Sequence, residues 1–226
     1  MLGRQVIGIT GTQGSGKTTL LMAMIGFIPH FLNLRIQEQT FELHLRRQYP
    51  DRNILSFQET DSISGQEGLD LQKKTDGSVN ILGEVATAPV ASYMIQMGQT
   101  ASLFTMFTHH ANTTKDLVYA LRNCLLQTGQ FANENLAKQQ VVDVVRFDVH
   151  LVLNGDGKRF VERITEIIPL QEKFSFGENV ILEYENDSYY LRNRPSIRTE
   201  NLMKQKMTKE EQEEYEEFFS ENIQCS

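Results

Sequence analysis

Cysteine is scarce in this sequence: the 226 residues include only Cys124 and Cys225, and neither lies in a motif. Small secreted domains that depend on disulfides are far richer in cysteine. The scarcity therefore argues against a disulfide framework and favours a reducing compartment. A secretory signal is also missing, because Met1 is followed almost at once by an apolar strand pattern and a glycine-rich loop.

Long hydrophobic runs are missing as well. The most apolar window spans residues 19–34 and is interrupted by Pro29, His30 and Asn33. A helix that crosses a bilayer needs about 20 consecutive, predominantly apolar residues. The window therefore predicts a buried helix that leads into a strand.

Basic residues are outnumbered by acidic ones. The chain has 22 Lys and Arg against 29 Asp and Glu, a formal net charge of −7 and a pI near 5.3. Proteins that hold nucleic acid through bulk electrostatics carry a basic excess, so we expect no direct bulk binding of nucleic acid. The length suits one domain, or one domain with an appendage.

The strongest motif that is present is a glycine-rich loop, GTQGSGKT, at residues 11–18. It matches G-x-x-x-x-G-K-[ST] and lies between a strand pattern and a helical pattern, the context that a phosphate-binding loop requires. Glycines let backbone N–H groups approach a phosphate, and the positive end of the following helix favours the same anion. The predicted nucleotide-binding residues are Gly11, Thr12, Gln13, Gly14, Ser15, Gly16, Lys17, Thr18 and Thr19.

Three side chains of this loop have predicted roles. Lys17 is expected to reach the β- and γ-phosphates, the Thr18 hydroxyl to bind Mg²⁺, and Thr19 to hold the α-phosphate. Such a loop serves kinases, switches, pumps and motors alike. By itself it predicts binding of a nucleoside triphosphate with Mg²⁺ and does not select among these classes.

Apolar runs alternate with helical patterns through the first part of the chain. The runs predict strands at residues 5–10, 34–39, 53–59, 79–85 and 101–107. The helical patterns cover residues 17–27, 67–74, 88–98 and a stretch that Thr113 or Thr114 caps and that Gly129 ends. Alternation of this kind predicts an α/β fold with a mostly parallel central sheet and helices on both faces.

The pattern changes after about residue 140. Residues 146–153 and 159–168 alternate around a G-D-G turn and predict a hairpin, and residues 179–192 predict another. The acidic segment TKEEQEEYEEFF begins with a capping box, Thr208 and Glu211, and predicts a helix with a solvated acidic face, with a specific docking tail as the alternative. We therefore expect an α/β domain over residues 1–170 and an appendage, a β-hairpin with an acidic helical tail, over residues 171–226.

Carboxylates follow two of the predicted strands. Glu84 ends the apolar run VNILGE, so it should emerge at the carboxyl edge of the sheet, where ligands bind in open α/β sheets. A nucleotide hydrolase needs a base that positions water and a carboxylate near the metal. Glu84 is the metal-side candidate. Glu38 ends the run LRIQE and is the second candidate, with Glu42 as a nearby competitor.

Two histidines follow the next apolar strand and should lie at the same edge. His109, His110 and Asn112 precede a helix, so one of them could sense the γ-phosphate. The alternative is a capped histidine in a loop. The pair does not predict a metal site, because no further His or Cys stands at ligand spacing.

The order of these segments resembles the secretion ATPase superfamily, the motors of type II and type IV secretion and of pilus assembly. The tight-adherence and conjugation branch is the most similar. The family's I-E-D-x-x-E-L segment reads IQEQTFEL at residues 36–43, and its G-E-V strand end reads ILGEV at 81–85. Its H-A-N turn stands at residues 110–112, and its I-T-E-I-like strand reads RFVERITEI at 159–167. The resemblance covers about residues 5–170.

The resemblance implies a RecA-like P-loop NTPase fold and an ATPase that uses ATP and Mg²⁺. It implies that Glu38 orients the attacking water, that Glu84 is the Walker B glutamate beside the metal, and that His110 lies near the γ-phosphate. It also implies a hexameric ring with nucleotide held between subunits. Inner-membrane secretion or pilus platform proteins would be the partners, and the location would be cytoplasmic, at the inner face of the cell membrane.

Several features depart from the family pattern. Gln39 stands where aspartate is frequent, Ala86 where the tight-adherence branch has arginine, and Arg122 two residues from the family arginine. The chain also begins at the first strand of the motor domain, whereas the family has a preceding domain. Three hypotheses stay open: a hydrolysing motor, a nucleotide-binding scaffold of the same machine, and, ranked lowest, a small-molecule kinase, since no arginine-rich lid is evident.

Overall fold

The computed structural model describes residues 3–38, 42–58, 65–75, 78–100, 103–170 and 175–222. The strands in these ranges are β1 (Ile7–Gly11), β2 (Leu34–Glu38), β3 (Ile54–Gln58), β4 (Val79–Leu82), β5 (Phe104–His109), β6 (Phe147–Leu153), β7 (Arg159–Pro169), β8 (Phe176–Glu185) and β9 (Ser188–Leu191). The helices are α1 (Lys17–Ile25), α2 (Leu45–Gln48), α3 (Gly65–Lys73), α4 (Ala88–Thr100), α5 (Thr114–Gln127), α6 (Glu134–Val144), α7 (Ile197–Lys204) and α8 (Lys209–Asn222).

The described strands form one sheet in the order β3-β2-β4-β5-β1-β6-β7-β8-β9. The first six strands in this order, from β3 through β6, run parallel to one another. β7, β8 and β9 continue the sheet as antiparallel neighbours. Strands β1, β2, β4 and β5 are buried along their whole length, as expected where helices cover both faces of a parallel sheet. The predicted fold class is confirmed.

Helices cover both faces of the sheet because successive strand residues point to opposite sides. Ile7 and Ile9 of β1 belong to an apolar cluster that includes Leu21 and Ile25 of α1. Between them, Gly8 faces Phe107 and Leu117, which belong to a second cluster built mainly from α4, α5 and α6. The two clusters form the core above and below the sheet.

Helices α7 and α8 pack on the antiparallel part of the sheet through a third apolar cluster. Its buried members are Ile181, Met203, Met207, Tyr215 and Phe219. The predicted capping box is present, since Thr208 N donates to Glu211 Oε2 at 2.7 Å and Glu211 N donates to Thr208 Oγ1 at 3.1 Å. Tyr215 and Phe219 of α8 are buried, whereas Glu213, Glu214 and Glu217 are exposed, as expected of a helix with one solvated acidic face.

The buried carboxylate of Glu166 on β7 fastens this C-terminal layer to the sheet. It accepts hydrogen bonds from the backbone N–H of Ser196 at 2.7 Å, from the Ser196 hydroxyl at 2.5 Å and from Asn179 Nδ2 at 3.0 Å. Ser196 is also the N-cap of α7. Burial opposes ionisation of Glu166, but these hydrogen bonds outweigh it and the pKa of the carboxyl is lowered from its ordinary value.

The structure differs from the predicted elements in several places. β4 ends at Leu82, so Glu84 lies two residues beyond the strand, and β5 extends through His109. Helices α2, α6 and α7 were not predicted. Gln39, residues 101–102 and Cys225 lie outside the described residues. None of the helices in the described part of the chain has the length and apolar character that crossing a bilayer requires.

Candidate active site

Strand order brings the predicted site residues to one edge of the sheet. β5 lies between β1 and β4, and β2 lies on the other side of β4. The phosphate loop after β1, the histidines at the end of β5, Glu84 after β4 and Glu38 at the end of β2 therefore meet at the carboxyl edge. They border a cleft of about 660 Å³ lined by Gln13, Gly14, Gly16, Lys17, Thr18, Thr19, Glu38, Glu42, Leu43, Gly83, Glu84, Thr108, His110 and Arg159.

The loop adopts a backbone conformation that only glycine accommodates well. Gly11 has a φ of 141° and Gly16 a φ of 99°, and a Cβ at Gly11 would lie 2.3 Å from the carbonyl oxygen of Leu151. Gly16 is the N-cap of α1, and no side chain caps the first turn. The N–H groups of that turn therefore remain available to an anion at the positive end of the helix.

The donors of the loop fit a nucleotide phosphate group. Ser15 Oγ is buried and has no hydrogen-bond partner among the described residues, as expected of a donor that serves a ligand. Thr18 and Glu84 line the same cleft and offer oxygen ligands of the kind that Mg²⁺ prefers. No cluster of three or more His, Cys, Asp or Glu in the described ranges forms a separate metal cage.

Lys17 lies at the centre of the cleft and is only 8% exposed. Its ammonium donates to the carbonyl oxygens of Gly11 at 3.0 Å and Thr12 at 2.9 Å, and to His110 Nδ1 at 3.3 Å. Burial lowers the pKa of Lys17, and the negative charge of Glu84 opposes that shift. Three acceptors within the chain thus hold the Lys17 ammonium in place in the cleft.

His110 connects Lys17 to Glu84. Its Nδ1 accepts from the Lys17 ammonium, and its Nε2 lies 3.4 Å from Glu84 Oε1. An imidazole that accepts at Nδ1 carries its proton at Nε2, directed at the carboxylate. His110 is therefore the histidine of the predicted pair that enters the cleft.

His109 is turned away from the cleft. It is the last residue of β5 and is buried, and its Nδ1 lies 2.6 Å from the carbonyl oxygen of Val85. Burial lowers the pKa of His109. Its contact with Val85 holds the segment after β4 against the end of β5, so it supports the position of Glu84.

Glu38 is the most enclosed carboxylate of the cleft, at 4% exposure. Its Oε1 accepts the backbone N–H groups of Glu42 and Leu43, both at 3.0 Å. Burial raises the pKa of Glu38 above its ordinary value, against the effect of these two hydrogen bonds. Glu42 also lines the cleft but is exposed, so the two candidate carboxylates occupy different environments.

Arg159 is a cleft residue that the sequence reasoning did not single out. Its Nε donates to the carbonyl oxygen of Gly14 at 2.7 Å. The neighbouring Lys158 and Arg163 pair with Asp187 and Glu162, whereas Arg159 has no carboxylate partner in the described part of the chain. Its position after the G-D-G turn was visible in the sequence, but the antiparallel return of β7 along the phosphate loop was not.

Arg122 lies outside the cleft lining and is occupied elsewhere. Its guanidinium forms an ion pair with Glu134, contacts the side chain of Asn123 and stacks 4.7 Å from the centre of the Tyr119 ring. These contacts fasten α5 to the start of α6. Arg122 is therefore not a cleft residue within this chain.

A parallel α/β sheet with a glycine-rich loop at its carboxyl edge, followed by the positive end of a helix, defines the class of phosphate-loop proteins. Within that class, residues 3–153 match the family model described as Type II/IV secretion system protein. The chain belongs to this family. The resemblance expected from the sequence is thereby confirmed.

Solved structures and a curated relative agree with the family. The VirB11 ATPase of the Brucella suis type IV secretion system is 23% identical, with a TM-score of 0.65 over 72% of this chain and 48% of that one. The ATPase DotB of Legionella pneumophila is 16% identical, with a TM-score of 0.56 over 76% and 48% of the two chains. These likenesses show the fold.

Competence protein ComGA of Halalkalibacterium halodurans is 31% identical over 107 residues, which is 47% of this chain and 30% of ComGA. The pilus retraction motor PilT, solved with bound ADP, is 15% identical, with a TM-score of 0.52 over 97% of this chain and 55% of the PilT chain. The matched parts thus cover between 30% and 55% of the length of these relatives.

Proposed function

We propose that this protein binds and hydrolyses ATP as the motor of a secretion-like, conjugation or pilus-assembly machine. The observation that supports this most directly is the line of contacts Lys17–His110–Glu84 across the phosphate-loop cleft. It joins a phosphate-binding cation to a carboxylate through an imidazole, within the cleft that Glu38 also lines. A hydrolase needs a phosphate-binding cation and carboxylates of this kind around the γ-phosphate.

The chain's own residues divide the work. The N–H groups of residues 11–18 hold the phosphates, and Lys17 neutralises charge at the β- and γ-phosphates. Glu38 orients and deprotonates the attacking water, a role that its raised pKa favours. Thr18 and Glu84 would hold Mg²⁺, which when bound would neutralise charge at the phosphate oxygens. His110 senses the γ-phosphate through its contacts with both Lys17 and Glu84.

A ring of subunits is part of this proposal. Family membership and the similarity to VirB11, DotB and PilT support a homo-oligomer, most simply a hexamer, at the inner-membrane platform of such a machine. The location would be the cytoplasmic face of that membrane. Mass measurement with a non-hydrolysable ATP analogue tests the ring, and a monomer at every concentration would count against the motor.

The decisive test compares binding with turnover in Mg²⁺-dependent assays. Lys17→Ala is expected to lose both, because the phosphates lose their cation. Glu84→Gln is expected to keep binding and lose turnover by about 100-fold, the usual effect of removing one proton-transfer or metal-side group. Glu210→Gln on the exposed side of α8 is the matched control and should leave both unchanged. Normal hydrolysis by Glu84→Gln would overturn the assignment.

A nucleotide-binding scaffold of the same machine is the second candidate. It is favoured by the engagement of Arg122 with Glu134, which leaves Arg159 as the arginine that lines the cleft within the described residues. A scaffold would bind ATP and assemble but would not hydrolyse it, even at high protein concentration with membranes present. Transfer of phosphate to a metabolite, with little bare hydrolysis, would instead support a kinase.

A further inference from the structure

A buried carboxylate lies behind the phosphate loop, outside the cleft lining. Asp148 of β6 is 0% exposed. Its Oδ1 accepts a hydrogen bond from the Thr10 hydroxyl at 2.5 Å, and its Oδ2 accepts one from the Thr114 hydroxyl at 2.8 Å. Both oxygens of a fully buried acid are therefore satisfied by two side chains that come from different parts of the chain.

The two threonines lead to the two halves of the site. Thr10 directly precedes Gly11, whose carbonyl oxygen accepts from the Lys17 ammonium at 3.0 Å. Thr114 is the first residue of α5 and stands four positions after His110, whose Nδ1 accepts from the same ammonium at 3.3 Å. One carboxylate thus fastens both segments that position Lys17.

Proton counting fixes the direction of these hydrogen bonds. The single proton of the Thr10 hydroxyl goes to Asp148 Oδ1. His150 Nδ1 lies 2.9 Å from the Thr10 hydroxyl oxygen, so His150 must be the donor in that contact. Burial, with the charges of Arg163 and Lys17, lowers the pKa of His150 to about 4. His150 is therefore neutral near pH 7 and carries its proton at Nδ1. Each member of the network then has a defined role.

We propose that Asp148 is a positioning residue for ATP hydrolysis, which fixes the separation of the phosphate loop and the histidine segment through Thr10 and Thr114. This inference rests on the proposed function. Buried hydrogen bonds to a carboxylate are stronger than exposed ones and define geometry more sharply. The tie therefore determines where Lys17 and His110 stand relative to a bound γ-phosphate.

The expected signature is a loss of turnover without an equal loss of binding. Nucleotide affinity depends mainly on the N–H groups of the loop and on the charge of Lys17, which a loosened tie leaves in place. Turnover depends on the relative placement of Lys17, His110 and Glu84, and small misplacements of catalytic groups cost large factors in rate.

The test removes one arm of the tie at a time. Thr114→Val deletes the hydroxyl at nearly constant volume and should lower kcat roughly tenfold while the Kd for a fluorescent ATP analogue stays within about twofold. Thr114→Ser keeps the hydroxyl and should restore kcat. Thr199→Val is the matched control, because Thr199 is also fully buried but lies on α7, outside the cleft lining. A kcat for Thr114→Val equal to that of the control would overturn the proposal.

Thr10→Val tests the other arm. If both arms act through Asp148, the effects of Thr10→Val and Thr114→Val on kcat will not add in the double variant. Additive losses would show two independent defects and contradict the tie. Asp148→Asn keeps the shape and removes the charge, and it should lower kcat in the same direction. Melting temperatures identify any variant that fails to fold, and the remaining variants then decide.

A measurement without turnover separates this inference from the proposed function. The chain has five histidines, so ¹⁵N-histidine NMR can resolve the ring nitrogens of His110, assigned with His110→Asn. The native signal should show an unprotonated Nδ1, and Thr114→Val should shift it whereas Thr199→Val should not. An unshifted signal overturns the tie even if hydrolysis is normal. A shifted signal in a protein without hydrolysis supports the tie and counts against the motor.

Discussion

At position 83, the side chain of Glu38 leaves little room for any residue larger than glycine. A Cβ at Gly83 would lie 3.2 Å from Glu38 Cγ and 3.5 Å from the carbonyl oxygen of Gln37. Glu38 cannot give way freely, because two backbone N–H groups hold its Oε1. The family's G-E-V signature therefore has a packing reason here: the glycine leaves room for the neighbouring carboxylate, and the glutamate lines the cleft.

Gly83→Ala is expected to lower ATP turnover about tenfold, because it displaces Glu38 from its place in the cleft. Nucleotide affinity should change little, since the phosphate loop is untouched. Gly155→Ala is the matched control, because a Cβ there meets nothing within 4 Å. Steady-state hydrolysis and equilibrium binding are the two measurements. Equal turnover in both variants would show that Glu38 is not needed where it stands.

Arg159→Ala is expected to weaken binding of the ATP·Mg²⁺ complex about tenfold, the size of one charge-assisted hydrogen bond lost from a phosphate. Its guanidinium is anchored on Gly14 and has no carboxylate partner in the described part of the chain. Lys158→Ala is the control, because Lys158 is paired with Asp187 and Tyr184. Titration with a fluorescent ATP analogue measures both, and equal affinities would remove Arg159 from the phosphate site.

At the scale of elements, strand β5 and helix α5 act as one unit that places His110. β5 ends at His109, the turn follows, and Thr113 begins α5 by accepting the N–H of Asp116 at 3.0 Å. The sequence left Thr113 and Thr114 as alternatives for this cap. The structure separates them: Thr113 caps the helix, and Thr114 turns its hydroxyl to Asp148.

Thr113→Ala is expected to lower the free energy of unfolding by about 1 kcal/mol, the usual cost of losing an N-cap. Thr113→Ser keeps the cap and should cost much less. Urea unfolding followed by circular dichroism measures the difference. If the alanine variant is as stable as the serine variant, the cap does not stabilise α5.

At the scale of the whole molecule, the sheet joins two kinds of structure. The parallel strands border the cleft. The antiparallel strands hold α7 and α8 in place through the hydrogen bonds of Glu166 and through the third apolar cluster. Arg4 joins the beginning of the chain to α8, since its guanidinium pairs with Glu211 at 3.2 Å. The C-terminal layer and β1 therefore support each other.

Glu166 makes stability depend on pH in a defined direction. Its pKa is lowered in the folded protein, so the stabilisation is complete above its ordinary value of 4.5 and is lost as pH falls through the lower folded value. The stability advantage of the native protein over Glu166→Gln should shrink from about pH 5 to pH 3. Burial keeps His150 neutral, so its protonation lowers the free energy of unfolding of both proteins as pH falls. This contribution cancels in the difference between them. Urea unfolding at several pH values measures it, and a constant difference would contradict the assignment.

Much of this protein follows from its sequence alone because the evidence is local. The strand, glycine loop and helix of residues 5–25 are contiguous, so the spacing of GTQGSGKT predicts where a phosphate can bind. Alternating strands and helices determine a parallel sheet, and a parallel sheet determines that Glu38, Glu84 and His110 emerge at one edge. Helix α6 had a readable signal, an Asn133 cap before buried apolar positions, that was not used.

Only the tertiary structure decided which of these groups touch. The insertion of β5 between β1 and β4 lets His110 contact both Lys17 and Glu84. The return of β7 brings Arg159 to Gly14, and the parallel pairing of β6 with β1 places Asp148 behind the loop. These contacts join residues separated by many positions in the chain. They depend on strand order and register, and local hydrophobic periodicity carries no record of either.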